Sequence, residues 1–210
     1  MSKTCNLIHQ LAGDLKRHRF PYDGNEIPNN GIYLLFENGE AGHDADRIVR
    51  VGTHTGEDQL PSRLDQHFIM ENKDRSIFRK NIGRSILMKN KDPFLNLWNL
   101  DLTSRVDYSH YSHLIDIDYK NKIEREVTGY IRGNFSFVVF AVEDKSTRLA
   151  LEKMLIATIA QCDDCKPSPD WHGKFSPKIK IKQSGLWQEQ HIANPPMKDK
   201  DIELLREFMI

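Results

Sequence analysis

Cysteine is scarce: three residues in a chain of 210, too few for a disulfide framework. Neither sign of charge is in surplus, with 30 Lys and Arg against 30 Asp and Glu. Bulk charge therefore points to no polyanion, and a nucleic-acid partner has to be argued from local clusters. No apolar run approaches the roughly 18 residues of a membrane span. The first twenty residues, MSKTCNLIHQLAGDLKRHRF, lack the basic-then-apolar pattern of a signal peptide, so a soluble, cytoplasmic protein with no membrane partner is expected. Repeats and low-complexity tracts are absent too. What remains is a chain long enough to bury a real core, read as one domain over 1–210.

Leu7, Ile8, Leu11 and Leu15 recur at helical spacing, predicting an amphipathic helix over 4–16 with Thr4 as its cap. Residues 31–37 alternate as a strand, with Ile32, Leu34 and Phe36 on one face and Tyr33, Leu35 and Glu37 on the other. A Gly- and Asp-rich connection over 38–46 leads to a second strand, 47–52. There Val49 and Val51 should share one face, and Ile48 and Arg50 the other. The two strands are expected to form a hairpin, one sheet face being core and the other displaying Tyr33 and Arg50. A helix over 60–70 follows, with Pro61 in its first turn. Leu60, Leu64 and Phe68 make its apolar stripe, and Arg63 and His67, four apart, share a neighbouring one. Residues 73–132 are charged and weakly periodic, and read as an insertion with one or two short helices. "NFSFVVFAVE" over 134–143 is a buried strand, 146–161 a strong helix, and 200–208 a short one.

Hairpin, helix, insertion, strand, helix: this order, with "GIY" opening the first strand, "VRVG" ending the second and "RLDQHF" after it, resembles the GIY-YIG nuclease family. The likeness is close over 31–68 and looser over 135–161. It implies an α+β fold, a small antiparallel three-stranded sheet flanked by helices. The nuclease-like core would span 28–72 and 133–165, with the insertion at 73–132 and a C-terminal extension at 166–210. It also implies roles. Tyr33 would act as general base or water positioner, Arg63 would contact the scissile phosphate, and His67 would stand one turn later. Glu152 in "RLALEKMLIATI" would hold a single divalent metal. Arg50 stands where the family has its second tyrosine, and Gln188 in "SGLWQ" stands in for a late asparagine.

Chemistry supports that set. A carboxylate with several waters suits a hard cation, Mg²⁺ (or Mn²⁺). Making a tyrosine with a pKa near 10 into a base at neutral pH requires about 3–4 kcal/mol of preferential phenolate stabilisation. A guanidinium on the adjacent strand, Arg50, is a source of it. Otherwise Tyr33 only orients the water.

"NKDRSIFRKNIGRSILMKNK" concentrates Lys73, Arg75, Arg79, Lys80 and Arg84, a density that suits backbone phosphates, and His54 follows the second strand closely. Lys174, Lys178, Lys180 and Lys182 form a weaker run. Cys162 and Cys165 make a single C-x-x-C with His172 nearby. Zinc needs four ligands and no second pair is present, so reduced thiols are expected unless the fold brings His191 or Cys5 to them.

The function so implied is metal-dependent hydrolysis of DNA, with RNA left open, by a monomer, a homodimer or part of a larger assembly. The alternatives are a nucleic-acid-binding module without turnover, or a subunit of a restriction, repair or defence complex.

Overall fold

The structure is a computed structural model describing residues 2–209. Cys5, Ile8 and Ala12 lie on the buried side of α1 (Ser2–Asp14), which starts two residues before Thr4 and so places the expected cap inside its first turn. The chain continues through β1 (His18–Arg19), β2 (Gly31–Gly42), β3 (Ala45–Gly52), α2 (Leu60–Phe68), α3 (Ile77–Lys89), α4 (Leu95–Trp98) and α5 (Arg105–Tyr111). It then forms α6 (Ile117–Asn134), β4 (Phe135–Ala141), α7 (Lys145–Ala160), α8 (Ile179–Ser184) and α9 (Asp199–Met209). Side-chain caps open four of the helices, Ser104 accepting from the Asp107 N–H at α5. Ser76 accepts from the Arg79 N–H at α3, Asp116 from Tyr119 at α6, and Asp144 from Thr147 at α7.

The strands form one antiparallel sheet in the order β1-β4-β2-β3. This is the expected α+β sheet with a two-residue fourth strand, β1, added at one edge. The expected connection over 38–46 is shorter in fact. β2 runs on to Gly42, and only His43 and Asp44 turn the chain, both at positive φ (56° and 58°), the geometry of a type I′ hairpin.

Register explains a second difference. Leu35 pairs with Arg50 while Phe36 pairs with Ile48, so Val49 is the extra residue of a β-bulge. Ile48 therefore joins Val51, Leu34 and Phe36 on one face, and Val49 joins Tyr33 and Leu35 on the other, reversing the expected places of Ile48 and Val49. Arg50 keeps its predicted face.

Both faces of the sheet are buried, which corrects the one-sided expectation. Ile32, Leu34, Val51, Val138 and Phe140 pack under α1, α7 and α9, through Ile8, Leu151, Leu155 and Leu205 among others. Tyr33, Leu35, Val49, Phe135 and Phe137 pack under α2, α3 and α6. The reason lies in 73–132, which supplies four helices where one or two short ones were expected. Ile123, Val127 and Ile131, spaced by four along the 18-residue α6, give that helix an apolar stripe wide enough to close the second face.

The segment after α8 covers the free edge of β3. Trp187 N–H donates to the Val49 carbonyl (2.8 Å), and the Val51 N–H donates to Gln188 Oε1 (3.1 Å). Buried Arg47 reaches across to the Gly185 carbonyl (2.6 Å) and pairs with Glu40. Among the described residues no helix is long and apolar enough to cross a membrane.

Candidate active site

Glycine at two positions lets the hairpin carry Tyr33. A Cβ on Gly31 would lie 2.3 Å from the Phe140 carbonyl oxygen, and one on Gly52 would lie 2.2 Å from the Tyr33 hydroxyl. Tyr33 and Gly52 are cross-strand partners, so the phenol lies directly over the missing side chain.

From that position the hydroxyl enters a hydrogen-bond chain. Tyr33 Oη lies 2.7 Å from His67 Nε2, and His67 Nδ1 lies 2.7 Å from Ser76 Oγ. Arg50 Nε donates to the same Tyr33 oxygen (3.3 Å), while its Nη1 donates to the Trp187 carbonyl (2.7 Å). Tyr33 and His67 are both 0 % exposed. Burial, reinforced by the positive charges of Arg63, Arg50 and Arg79, holds the His67 imidazole well below its usual range, so it is neutral. A neutral imidazole donates from one nitrogen and accepts at the other. Tyr33 as donor to Nε2, with Nδ1–H donating to Ser76, satisfies the chain.

Arg50 is the outermost member of this network. It lines a cleft of about 410 Å³ together with Glu152, Asn81, Gln188 and Glu189. Glu152, on α7, is half-buried, and among the described residues it forms no ion pair. Burial raises its carboxyl above the usual glutamate range, against the opposing pull of Arg50, the Thr53 amide, Arg63 and Lys153. Arg63, on α2, lines an adjoining cleft with Thr53, and its Nη1 is fixed by Gln66 Oε1 (2.8 Å) and the Arg75 carbonyl (3.2 Å). Arg50 and Glu152 are thus brought to one cleft, with Arg63 beside it, and Tyr33 and His67 are joined to it through Arg50. Tyr33 and His67 lie behind Arg50 rather than at the surface.

The residues expected to contact nucleic acid are placed differently. Arg79 is 0 % exposed and spends its guanidinium on Glu124 (2.8 Å), Thr128 (2.8 Å) and the His67 carbonyl (3.1 Å). Lys73 is buried against Asp74 (2.6 Å), Lys80 reaches the same carboxylate (3.3 Å), and Arg84 bonds Asn99 and Asn81. His54 uses both ring nitrogens internally, donating to the Gly56 carbonyl and accepting from the Gly31 N–H. Only Arg75 of the set is exposed. The basic density of 73–84 is largely a folded-in network because α3 packs against α6 on the sheet.

Sequence reading passed over Asn81. Its Oδ1 accepts from Arg84 (2.7 Å), but its buried Nδ2 has no hydrogen-bond partner among the described residues and stands at the wall of the Glu152 cleft. A buried amide without a partner is costly, and a ligand oxygen would satisfy it. Nothing in the local sequence marks it. Gln188, by contrast, does reach the cleft. The donor set there, the Glu152 carboxylate with oxygen-bearing Gln188 and Glu189 nearby, fits a hard divalent ion that keeps most of its water.

The family model described as the GIY-YIG domain matches residues 2–209, and the protein belongs to this family of nucleases. No curated protein and no solved structure gives a significant match.

Proposed function

We propose that the protein is an endonuclease that hydrolyses phosphodiester bonds of DNA at the Arg50–Glu152 cleft, using Mg²⁺ or Mn²⁺ held by Glu152. The observation that carries this reading is the meeting of Arg50 and Glu152 across one cleft, with Arg63 near enough to act on the same carboxylate. When bound, the ion supplies Lewis acidity toward a phosphate oxygen and lowers the pKa of a coordinated water. Arg63, its plane set by Gln66 and Arg75, donates to a non-bridging oxygen of the scissile phosphate. Arg50 presents its charge to the phosphorane-like transition state.

Tyr33 works through Arg50. Its hydroxyl, anchored by His67 and Ser76, holds the Arg50 guanidinium at a fixed angle toward the cleft. Complete burial keeps this hydroxyl from a water in the cleft, as base or as water positioner, and leaves it the role of positioning Arg50. Asn81 Nδ2 and exposed Arg75 add donors for neighbouring phosphate oxygens.

Supercoiled and linear DNA, with single-stranded RNA as a third substrate, should be incubated with the protein and Mg²⁺ or Mn²⁺. Metal-dependent nicking that Glu152→Ala abolishes is the expected result. Nicked product alone means one site acting once per duplex, whereas direct linearisation points to a dimer. A Glu152→Ala protein as active as the parent would refute the assignment.

The full burial of Tyr33 favours one competing reading, a nucleic-acid-binding module without turnover. Salt-sensitive DNA binding that is indifferent to divalent metal, with no cleavage of any substrate, would support that module instead.

A further inference from the structure

On the opposite face of the sheet from Tyr33, four side chains from three distant segments converge. Cys5 and His9, four residues apart, share one side of α1. His43 sits at the tip of the β2–β3 hairpin, and Cys165 ends the short 3₁₀ turn Asp163–Cys165 after α7. Their ligand atoms all lie within 4.8 Å of one another, and all but the half-buried His43 are buried. Cys5 Sγ is 3.8 Å from His9 Nδ1, and Cys165 Sγ is 3.5 Å from His9 Nε2. The cysteines are free.

We propose that Cys5, His9, His43 and Cys165 form a structural Zn²⁺ site that pins the first helix and the loop after α7 to the hairpin tip. Tetrahedral zinc with bonds of about 2.3 Å to sulfur and about 2.0–2.1 Å to nitrogen has ligand–ligand edges of roughly 3.3–3.8 Å. The cluster needs only a small contraction to reach them. Two thiolates and two neutral imidazoles cancel the charge of a divalent cation, which suits a buried place.

The surroundings agree. His9 Nδ1 lies 2.9 Å from the Cys5 carbonyl, and donation there leaves the Nε2 lone pair facing Cys165, the outer-shell pattern of metal-bound histidines. The Ile48 N–H (3.2 Å from Nε2) competes for that lone pair in the metal-free chain. Gly42 leaves the space the Cys165 sulfur needs, since a Cβ there would lie 3.2 Å from it. Cys162 Sγ contacts His43 Nε2 at 3.3 Å and serves as an outer partner of the site. Of the histidines nearest the cysteine pair in sequence, His172 packs beside Tyr130 and His191 lines the Glu152 cleft, so neither contributes. Four protein ligands leave no open position, which makes the site structural rather than catalytic.

Metal analysis of the full chain, purified without chelator and again after reconstitution with Zn²⁺ and desalting, tests this. About one zinc per chain is expected in the parent and in Cys162→Ser, falling below about 0.2 in Cys5→Ser and in His43→Asn. Asn tolerates the left-handed turn position of residue 43, so that variant keeps its hairpin. Should a variant fail to fold, Co²⁺ substitution of the parent decides. Intense d–d bands with thiolate-to-cobalt charge transfer are expected, and weak octahedral bands without charge transfer would overturn the site. So would a reconstituted parent below about 0.1 zinc, or full zinc in Cys5→Ser and His43→Asn.

Discussion

Replacing Arg79 with alanine separates a structural charge from a DNA contact. The Arg79 guanidinium donates to Glu124 Oε2 from two nitrogens (2.8 and 3.3 Å), to the Glu124 carbonyl (3.1 Å), to Thr128 and to the His67 carbonyl. Both side chains of the pair are at most 1 % exposed. Deleting the arginine strands the Glu124 carboxylate with the Lys73 N–H as its remaining partner. Removing one member of a buried pair costs about 3–5 kcal/mol. For a chain of this size each kcal/mol moves the melting temperature by about 2–4 °C, so Arg79→Ala should melt about 6–20 °C lower. Adding Glu124→Gln, which keeps an acceptor for Lys73 and removes the orphaned charge, should restore a large part of the loss. Arg75→Ala, on the exposed side of the same segment, should stay within about 0.5 kcal/mol of the parent. Circular dichroism melts of the four proteins, with DNA affinity measured on the folded material, supply the comparison. An Arg79→Ala protein that melts with the parent and yet loses DNA affinity would refute the reasoning.

Other perturbations probe the site more narrowly. Gly52→Ala places a methyl against the Tyr33 hydroxyl and should cost about 1–3 kcal/mol in urea unfolding while displacing Arg50, so cleavage should fall further than stability alone explains. Glu152 has its carboxyl raised in the folded chain, so its ionisation weakens the metal-free fold above that pKa and has no effect below the unfolded value of about 4.3. Glu152→Gln should therefore stabilise the metal-free protein at neutral pH, with the gain vanishing toward pH 4, as urea titrations at both pH values would show. Ser76→Ala removes both the α3 cap and the far end of the Tyr33 chain, and should cost about 1 kcal/mol of stability together with a lowered kcat at unchanged DNA affinity.

The parts of this fold that could be read from the sequence are those set by neighbours along the chain. Alternation over Ile32 to Phe36 gave the first strand, four-residue spacing of Leu60, Leu64 and Phe68 gave α2, and "GIY", "VG" and Glu152 pointed to the family. The parts that could not be read depend on partners far away. Nothing near Val49 marks the bulge, which comes from pairing with Leu35 and Phe36. The stripe of Ile123, Val127 and Ile131 was present but masked by dense charge, and with α6 unseen the second sheet face looked open. For the same reason Arg79 reads in sequence as a phosphate contact, because its partner Glu124 is 45 residues on. Cys5 and His9 had a readable helical spacing. Their use as a pair depends on Cys165, which a search for a second cysteine pair passes over.

The central claim is that one hydrated cation sits at Glu152 beside Arg50. Crystals soaked in Mn²⁺ and measured at the manganese edge test it directly. The account predicts an anomalous peak about 2.1 Å from the Glu152 carboxylate, on the side facing Arg50, absent in Glu152→Gln. A protein that cleaves DNA in Mn²⁺ yet shows no ion at Glu152, or shows it bound elsewhere in the cleft without touching that carboxylate, would contradict it.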